Sequence, residues 1–113
     1  MQKIEAIIRP ERLDRVKDAL ADGGFVGLNV TNVLGRGAQR GVTYFGRSGE
    51  RHIVDVLPKV KLELVVPDAD TERVVSVIVE NARTGGVGDG VVFVSSVVEA
   101  VRIRTGERGD KAL

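Results

Sequence analysis

Three places in this chain hold residues whose types and spacing could do chemistry. The first is residues 84–90, Thr-Gly-Gly-Val-Gly-Asp-Gly. Its four glycines in seven residues let the backbone approach a ligand closely and turn several N–H groups toward one anion. The segment lacks the Lys-Ser/Thr of a P-loop and follows a helical pattern, not a strand, so neither nucleotide fingerprint applies. By itself, a glycine-rich turn with no ligand is the simpler reading. The second place is Arg102-Ile103-Arg104. Residues two apart in a strand share a face, and a pair of guanidinium groups suits a polyphosphate through bidentate, charge-assisted bonds. Two solvated arginines on an edge strand are the alternative. Lys59 stands beside the first strand of the second half as a further cation.

The third place is the stretch 35–61, which stands out from the rest of the chain in length and composition alike. It opens with Gly35, Gly37 and Gly41, and between residues 36 and 53 it sets Arg36, Arg40, Arg47 and Arg51 against one acid, Glu50. It also holds the only tyrosine, Tyr44, and the only histidine, His52. A connection of roughly 15–20 residues in a compact domain is more often functional than incidental. The stretch has little helical or strand periodicity and regains order at 54–58. It reads as a presented cationic segment; a long solvated hairpin without a partner is the alternative.

None of this makes a catalyst. His52 has no companion ligand, cysteine is absent, and no Ser/His/Asp spacing suggests a nucleophile with its base. Glu5 and Glu63 hold matching places in two strands and could pair as carboxylates, but an ion pair or an intersubunit contact is the simpler role. The residues read as a binding module and not an enzyme.

The elements that must position these residues follow from periodicity. Lys3, Ile4, Ile7 and Ile8 belong to a buried strand over 3–8 that Arg9-Pro10 breaks. Leu13, Val16, Ala19 and Leu20 make a helical stripe over 10–22, with Pro10 suited to its start and Gly23-Gly24 to its stop. Residues 25–34 predict a second strand running into the long loop, and 60–66 a third, ended by Pro67. Asp68 and Asp70 offer N-cap acids for a helix over 70–83, striped by Val74, Val77, Ile78 and Ala82. Residues 91–103 predict one long strand, and the tail 105–113 either frays or docks. Lys3–Ile8 lines up with Lys61–Val66 at an offset of 58, and Leu20 with Ile78 at the same offset. Two strand–helix–strand halves give βαββαβ, an α+β ferredoxin-like fold with a four-stranded antiparallel sheet and both helices on one face. Ile4, Val65 and their neighbours would leave the other face apolar, and another copy of the chain would cover it.

Composition bounds the rest. A length of 113 residues suits a single domain over 1–113. A hydrophobic fraction of 42% with 29% charged residues is ordinary for a globular protein. The formal charge of +1 gives no general bias toward nucleic acid or anionic membrane, so any positive field must be local. The absence of cysteine excludes a disulfide framework and thiolate metal sites. The opening MQKIEAIIRPERL lacks the apolar core of a signal peptide, no apolar run approaches a membrane span, and the expected location is cytoplasmic.

The segments KIEAIIRPERLDRVKDAL, LPKVKLELVVPD, TGGVGDG with the Val-Val-Phe-Val after it, and VRIRTGE together resemble the PII signal-transduction proteins, in order and spacing, over nearly the whole chain. The resemblance implies a compact homotrimer with nucleotide sites in the clefts between subunits. It also implies competitive binding of ATP or ADP, and 2-oxoglutarate bound with Mg-ATP. Such regulators of nitrogen or carbon assimilation contact ammonium transporters, enzymes and modifying proteins through a long T-loop, here 36–53; nucleic acid is not a partner, and a membrane is met only through a transporter. Carried over by position, the likeness puts the adenine near Ile7, Gly27, Leu28, Asn29 and Val65, with Glu63 beside them. Phosphates would lie against Gly37, Thr84, Gly85, Gly86, Val87, Gly88, Asp89, Gly90, Arg102 and Arg104. Gln39 would ligate Mg²⁺, a hard cation that takes oxygen ligands. Lys59, Gly37 and Gly41 would join Gln39 around 2-oxoglutarate, and Tyr44, Arg47 and Arg51 would face a partner.

The chain departs from the family pattern in three places. Ala38 and Val91 stand where the family commonly has basic residues, so the phosphate site carries fewer cations. The loop tip GRSGERH is one residue longer than the usual tip and sets His52 where some members have a modified tyrosine. Tyr44 lies well before that position, and Ser48 only loosely matches a serine phosphorylated in other members. Beside the main reading stand a divergent adenine-nucleotide sensor indifferent to 2-oxoglutarate, acting in carbon or metal physiology, and a small ferredoxin-like enzyme.

Overall fold

The computed structural model describes residues 1–37, 43–53 and 56–113, and for Thr43, Tyr44, His52 and Ile53 the backbone alone. In chain order the elements are β1 (Gln2–Ile8), α1 (Leu13–Asp22), β2 (Asn29–Gly35), β3 (Thr43–Phe45), β4 (Arg51–Ile53), β5 (Leu57–Val66), α2 (Thr71–Ala82) and β6 (Gly90–Ser96). Short 3-10 turns, Pro10–Arg12 and Asp68–Asp70, lead into the two helices. One antiparallel sheet has the strand order β2-β5-β1-β6, which with the two helices is the ferredoxin-like βαββαβ arrangement.

Strand parity decides which side chains make the core. In β1 the residues Ile4, Ala6 and Ile8 are buried, as are Val60, Leu62, Leu64 and Val66 of β5. They meet Val16 and Leu20 of α1 and Val74, Ile78 and Ala82 of α2 in one apolar cluster. The intervening positions form the opposite face, and here one expectation fails. Ile4 pairs with Leu64 and lies on the helix side, so it does not make the open face apolar. Val65 does lie there, opposite Lys3, but so do two crossed ion pairs, Lys3 with Glu63 at 3.4 Å and Lys61 with Glu5 at 3.3 Å. Glu5 and Glu63 face each other in register, each neutralised by a lysine on the other strand. The ion-pair alternative for these carboxylates is the one the structure adopts.

Other boundaries move for identifiable reasons. The second strand starts at Asn29, not at 25, because the helix exit uses the intervening residues. Gly24 turns through a φ of 93°, the Phe25 N–H donates back to the Leu20 carbonyl at 2.8 Å, and Arg73 stacks 4.6 Å above the Phe25 ring. The long loop is not without strands: Thr43–Phe45 pairs with Arg51–Ile53, closed by a turn at Gly46 and Gly49. β5 begins at Leu57, with Pro58 opposite Leu34 of β2 at a point where β1 has already ended. A residue without an N–H is tolerated there because β5 has a partner on one side only. Asp68 and Asp70 make no side-chain cap; Asp68 pairs with the Met1 amine at 2.9 Å and Asp70 with Arg73 at 3.3 Å.

The largest change is in the last strand, which stops at Ser96 instead of reaching 103. Its partner runs out: Gln2 opposite Ser96 is the last pair, and the Val97 N–H donates to the Met1 carbonyl at 3.1 Å. The chain then folds on itself, through a bridge between Val101 and Arg108 and a bond from the Arg102 N–H to the Glu107 carbonyl at 2.9 Å. The tail docks against this loop and ends in a 3-10 turn, Gly109–Ala112. Replacing the fully buried Leu62 by alanine should remove about 2–5 kcal/mol of stability, measured by urea denaturation.

Candidate functional site

The glycine-rich loop 84–90 is held at both ends and in the middle. α2 stops at Ala82, Arg83 is extended, and the chain turns at Gly85, Gly88 and Gly90 with φ of 90°, 101° and 106°. At its start, the Asp89 carboxylate accepts from the Thr84 N–H at 2.8 Å, the Gly85 N–H at 2.9 Å and the Thr84 hydroxyl. In the middle, Arg9 reaches in from the end of β1. Its Nε donates to Asp89 at 3.1 Å and its Nη2 to the Val87 carbonyl at 2.7 Å. Lys59 Nζ donates to the Gly88 carbonyl at 2.7 Å. At its end, Gly90 enters β6 opposite Ile8, so close to β1 that a β-carbon would run into the Ile7 carbonyl.

These bonds set the Asp89 charge. The Thr84 hydroxyl first, then the Thr84 N–H, hold its carboxyl far below the usual carboxylate range; partial burial opposes them, while the Gly85 N–H and the Arg9 guanidinium assist. The loop's first two N–H groups thus face an anion supplied by the loop itself.

Beside the loop, on the open side of the sheet, a cleft of about 400 Å³ is lined by Ile7, Gly35, Arg36, Gly37, Leu57, Lys59, Gly88, Gly90 and Val91. This lies within the roughly 300–1,000 Å³ typical of small-molecule sites. Five residues expected from the sequence meet here: Ile7, Gly37, Lys59, Gly88 and Gly90. Thr84, Gly85, Gly86, Val87 and Asp89 shape the adjoining loop. Gly27 and Leu28 precede β2, whose first residue Asn29 is opposite Glu63, and Val65 lies farther along β5. Glu63 is engaged with Lys3.

The arginine pair departs most from expectation. Arg102 and Arg104 are not in a strand, so the argument that alternation puts them on one face does not hold. Arg102 donates to the main-chain oxygens of Ala112 and Leu113, at 3.4 and 2.8 Å, while Arg104 is exposed. Gln39 and Gly41 lie outside the described residues, as does the Tyr44 side chain. Arg47 and Arg51 are exposed on the β3–β4 hairpin, beside Phe45, which is 71% exposed. Sequence reasoning missed Gly35, Arg36, Leu57 and Val91 as cleft residues, and it missed Arg9. Arg9 carries no local signal, since its contacts lie about 80 residues away in sequence.

The sequence matches the family model described as nitrogen regulatory protein P-II over residues 1–107. The chain belongs to the P-II family. It is 53% identical over 113 residues to nitrogen regulatory protein P-II 2 of Methanothermobacter thermautotrophicus, covering 100% of this chain and 97% of that one. It is 52% identical to nitrogen regulatory protein P-II of Rhodospirillum rubrum and 50% identical to nitrogen regulatory protein P-II 1 of Escherichia coli K12, both over 113 residues and the full length of each. P-II proteins are signal-transduction regulators. Among the described residues no group of three or more His, Cys, Asp or Glu could hold a metal ion, and no helix is long and apolar enough to cross a membrane.

The Asp89 tie has a pH signature. A lowered carboxyl pKa contributes stability that is fully present above the unfolded value of about 3.9 and is lost as pH falls toward the folded value. Asp89→Asn should therefore lower the urea midpoint at pH 7, and the gap from the parent should narrow below about pH 4. A gap of the same size at both pH values would remove Asp89 from the account.

Proposed function

We propose that this P-II protein is a cytoplasmic, homotrimeric regulator that binds ATP or ADP and, with Mg-ATP, 2-oxoglutarate, and controls nitrogen-assimilation partners through the loop 36–53. The observation that carries the reading is the cleft in which Lys59, the glycine loop and the root of the long loop at Gly35, Arg36 and Gly37 meet. A polyphosphate lying there would touch the loop's backbone, and its far end would reach the first residues of the segment that faces partners. A ligand shifts such a segment only by its differential affinity for the segment's arrangements. Contact at the loop's own base is the direct way to obtain that difference.

Within this reading, Ile7 and Val91 offer the cleft's apolar wall, Lys59 and Arg36 its positive charge, and the glycine loop its close backbone approach. Mg²⁺ would be held by nucleotide oxygens together with Gln39, and it would supply a charge that bridges phosphate and keto acid. Arg102 and Arg104 would serve a neighbouring subunit's cleft. Arg47 and Arg51, exposed on the hairpin, would meet an acidic or carbonyl-lined partner surface such as an ammonium transporter. Val91 favours one second reading, a nucleotide sensor indifferent to 2-oxoglutarate, because it sets an apolar side chain in the cleft where the family commonly has a lysine.

Support for the trimer comes from what one chain leaves uncovered. β2 and β6 are the sheet's outer strands, Phe93 on the open face is 54% exposed, and Ile103 is 100% exposed. Light scattering at micromolar concentration should give three times the monomer mass; a monomer would remove the intersubunit sites.

Calorimetry tests the ligands. Arg104→Ala should cost about 1.5–3 kcal/mol of ATP and ADP affinity, the scale of a charge-assisted bond. Gln39→Ala should abolish 2-oxoglutarate binding in the presence of Mg-ATP and leave ADP binding nearly intact. If the parent binds nucleotide but never 2-oxoglutarate, the second reading replaces the first.

A further inference from the structure

The geometry points to Arg9 as a positioning residue that acts on nucleotide affinity through Asp89 and Val87, by fixing the shape of the glycine loop before any ligand arrives. This rests on the nucleotide-binding reading above. Arg9 is not among the residues that line the cleft; its guanidinium sets one nitrogen on the Asp89 carboxylate and another on the Val87 carbonyl. Its side chain is 17% exposed and that of Asp89 24%, so the pair is partly shielded from solvent.

The two cations do different work. In a trans peptide the carbonyl and the N–H that follows point opposite ways. The bond from Arg9 to the Val87 carbonyl therefore turns the Gly88 N–H away from Arg9, and the bond from Lys59 to the Gly88 carbonyl turns the Asp89 N–H away from Lys59. Asp89 meanwhile engages the N–H groups of Thr84 and Gly85. The donors left to an incoming phosphate are thereby selected by the tie and not by the ligand. Without Arg9, Asp89 loses its cationic partner and Val87 its clamp, and the loop must be ordered at the expense of binding free energy. Arg9 follows directly on Ile8, which is fully buried, so its backbone is anchored in the core and the clamp has a rigid base.

The test compares the parent trimer with Arg9→Met, Asp89→Asn, the double variant and Arg9→Lys. Affinities for ATP and ADP are measured by calorimetry, and hydrogen exchange at the Thr84 and Gly85 amides is measured without nucleotide. Methionine keeps much of the side chain's length but none of its donors. Arg9→Met and Asp89→Asn should each weaken both nucleotides about tenfold or more. The double variant should be no weaker than the worse single one, because both break the same tie. Arg9→Lys should recover part of the loss, and exchange at Thr84 and Gly85 should accelerate in Arg9→Met. Additive losses would mean that Arg9 touches the ligand directly and would overturn the inference, as would unchanged exchange and affinity in Arg9→Met. If Arg9→Met does not fold, Arg9→Lys and Asp89→Asn decide: a lysine variant as weak as the asparagine variant refutes the clamp. A parent that binds neither nucleotide overturns the functional reading instead, while the exchange arm still judges the tie.

Discussion

The upper end of this molecule depends on one backbone contact, the passage of Gly90 against the Ile7 carbonyl. β6 can enter the sheet beside β1 only because residue 90 has no side chain and can hold a φ of 106°. That entry brings residues 84–89 over the end of β1, where Arg9 can reach them. It also lays Val91 beside Ile7 on the open face, giving the cleft its apolar wall. The glycine loop is thus placed by the sheet, not by a helix terminus or by a ligand. Strand pairing sets where the loop lies, and the bonds of Asp89, Arg9 and Lys59 set its shape.

Charge is handled locally throughout. A chain with a formal charge of +1 has almost no net field, yet residues of both signs crowd the open face and the loop. On the face they cancel in two crossed pairs between β1 and β5, which lets half-buried lysines and glutamates coexist with Ile7, Val65 and Phe93. At the loop, a carboxylate is deliberately kept ionised by four donors, two of them main-chain N–H groups. The same residue types serve solubility in one place and shape in the other, and partners decide which.

What was legible in the sequence was whatever repeats with a short period. The alternation in 3–8 and 60–66 and the stripe at Val74 and Ile78 located β1, β5 and α2 and their buried sides. The offset of 58 gave the fold. The two misread strand bounds have different causes: β6 ends where its pairing with β1 runs out, β2 starts late because the exit of α1 takes up the residues before it, and no local pattern records either. Hence Arg102 and Arg104, chosen for a strand's alternation, lie in a folded-back loop. Of the cleft, Gly88, Gly90 and Lys59 were visible by type and spacing, while Ile7 and Gly37 came from the family resemblance. Arg9 was not, because its importance comes from a contact with the opposite end of the chain.

β5 outlasts β1 by three residues, since Val60 opposite Ile8 is the last shared pair while Leu57, Pro58 and Lys59 still pair with β2. Beyond that point the four-stranded sheet becomes a ribbon of two, which twists more readily than a sheet with neighbours on both sides. Mechanically, it is a cantilever with its fulcrum at Val60. The long loop is attached at its free end, and Lys59 rides near the fulcrum with its amine on the Gly88 carbonyl. Any change in the twist of that ribbon would reach the glycine loop through the bond from Lys59 to the Gly88 carbonyl.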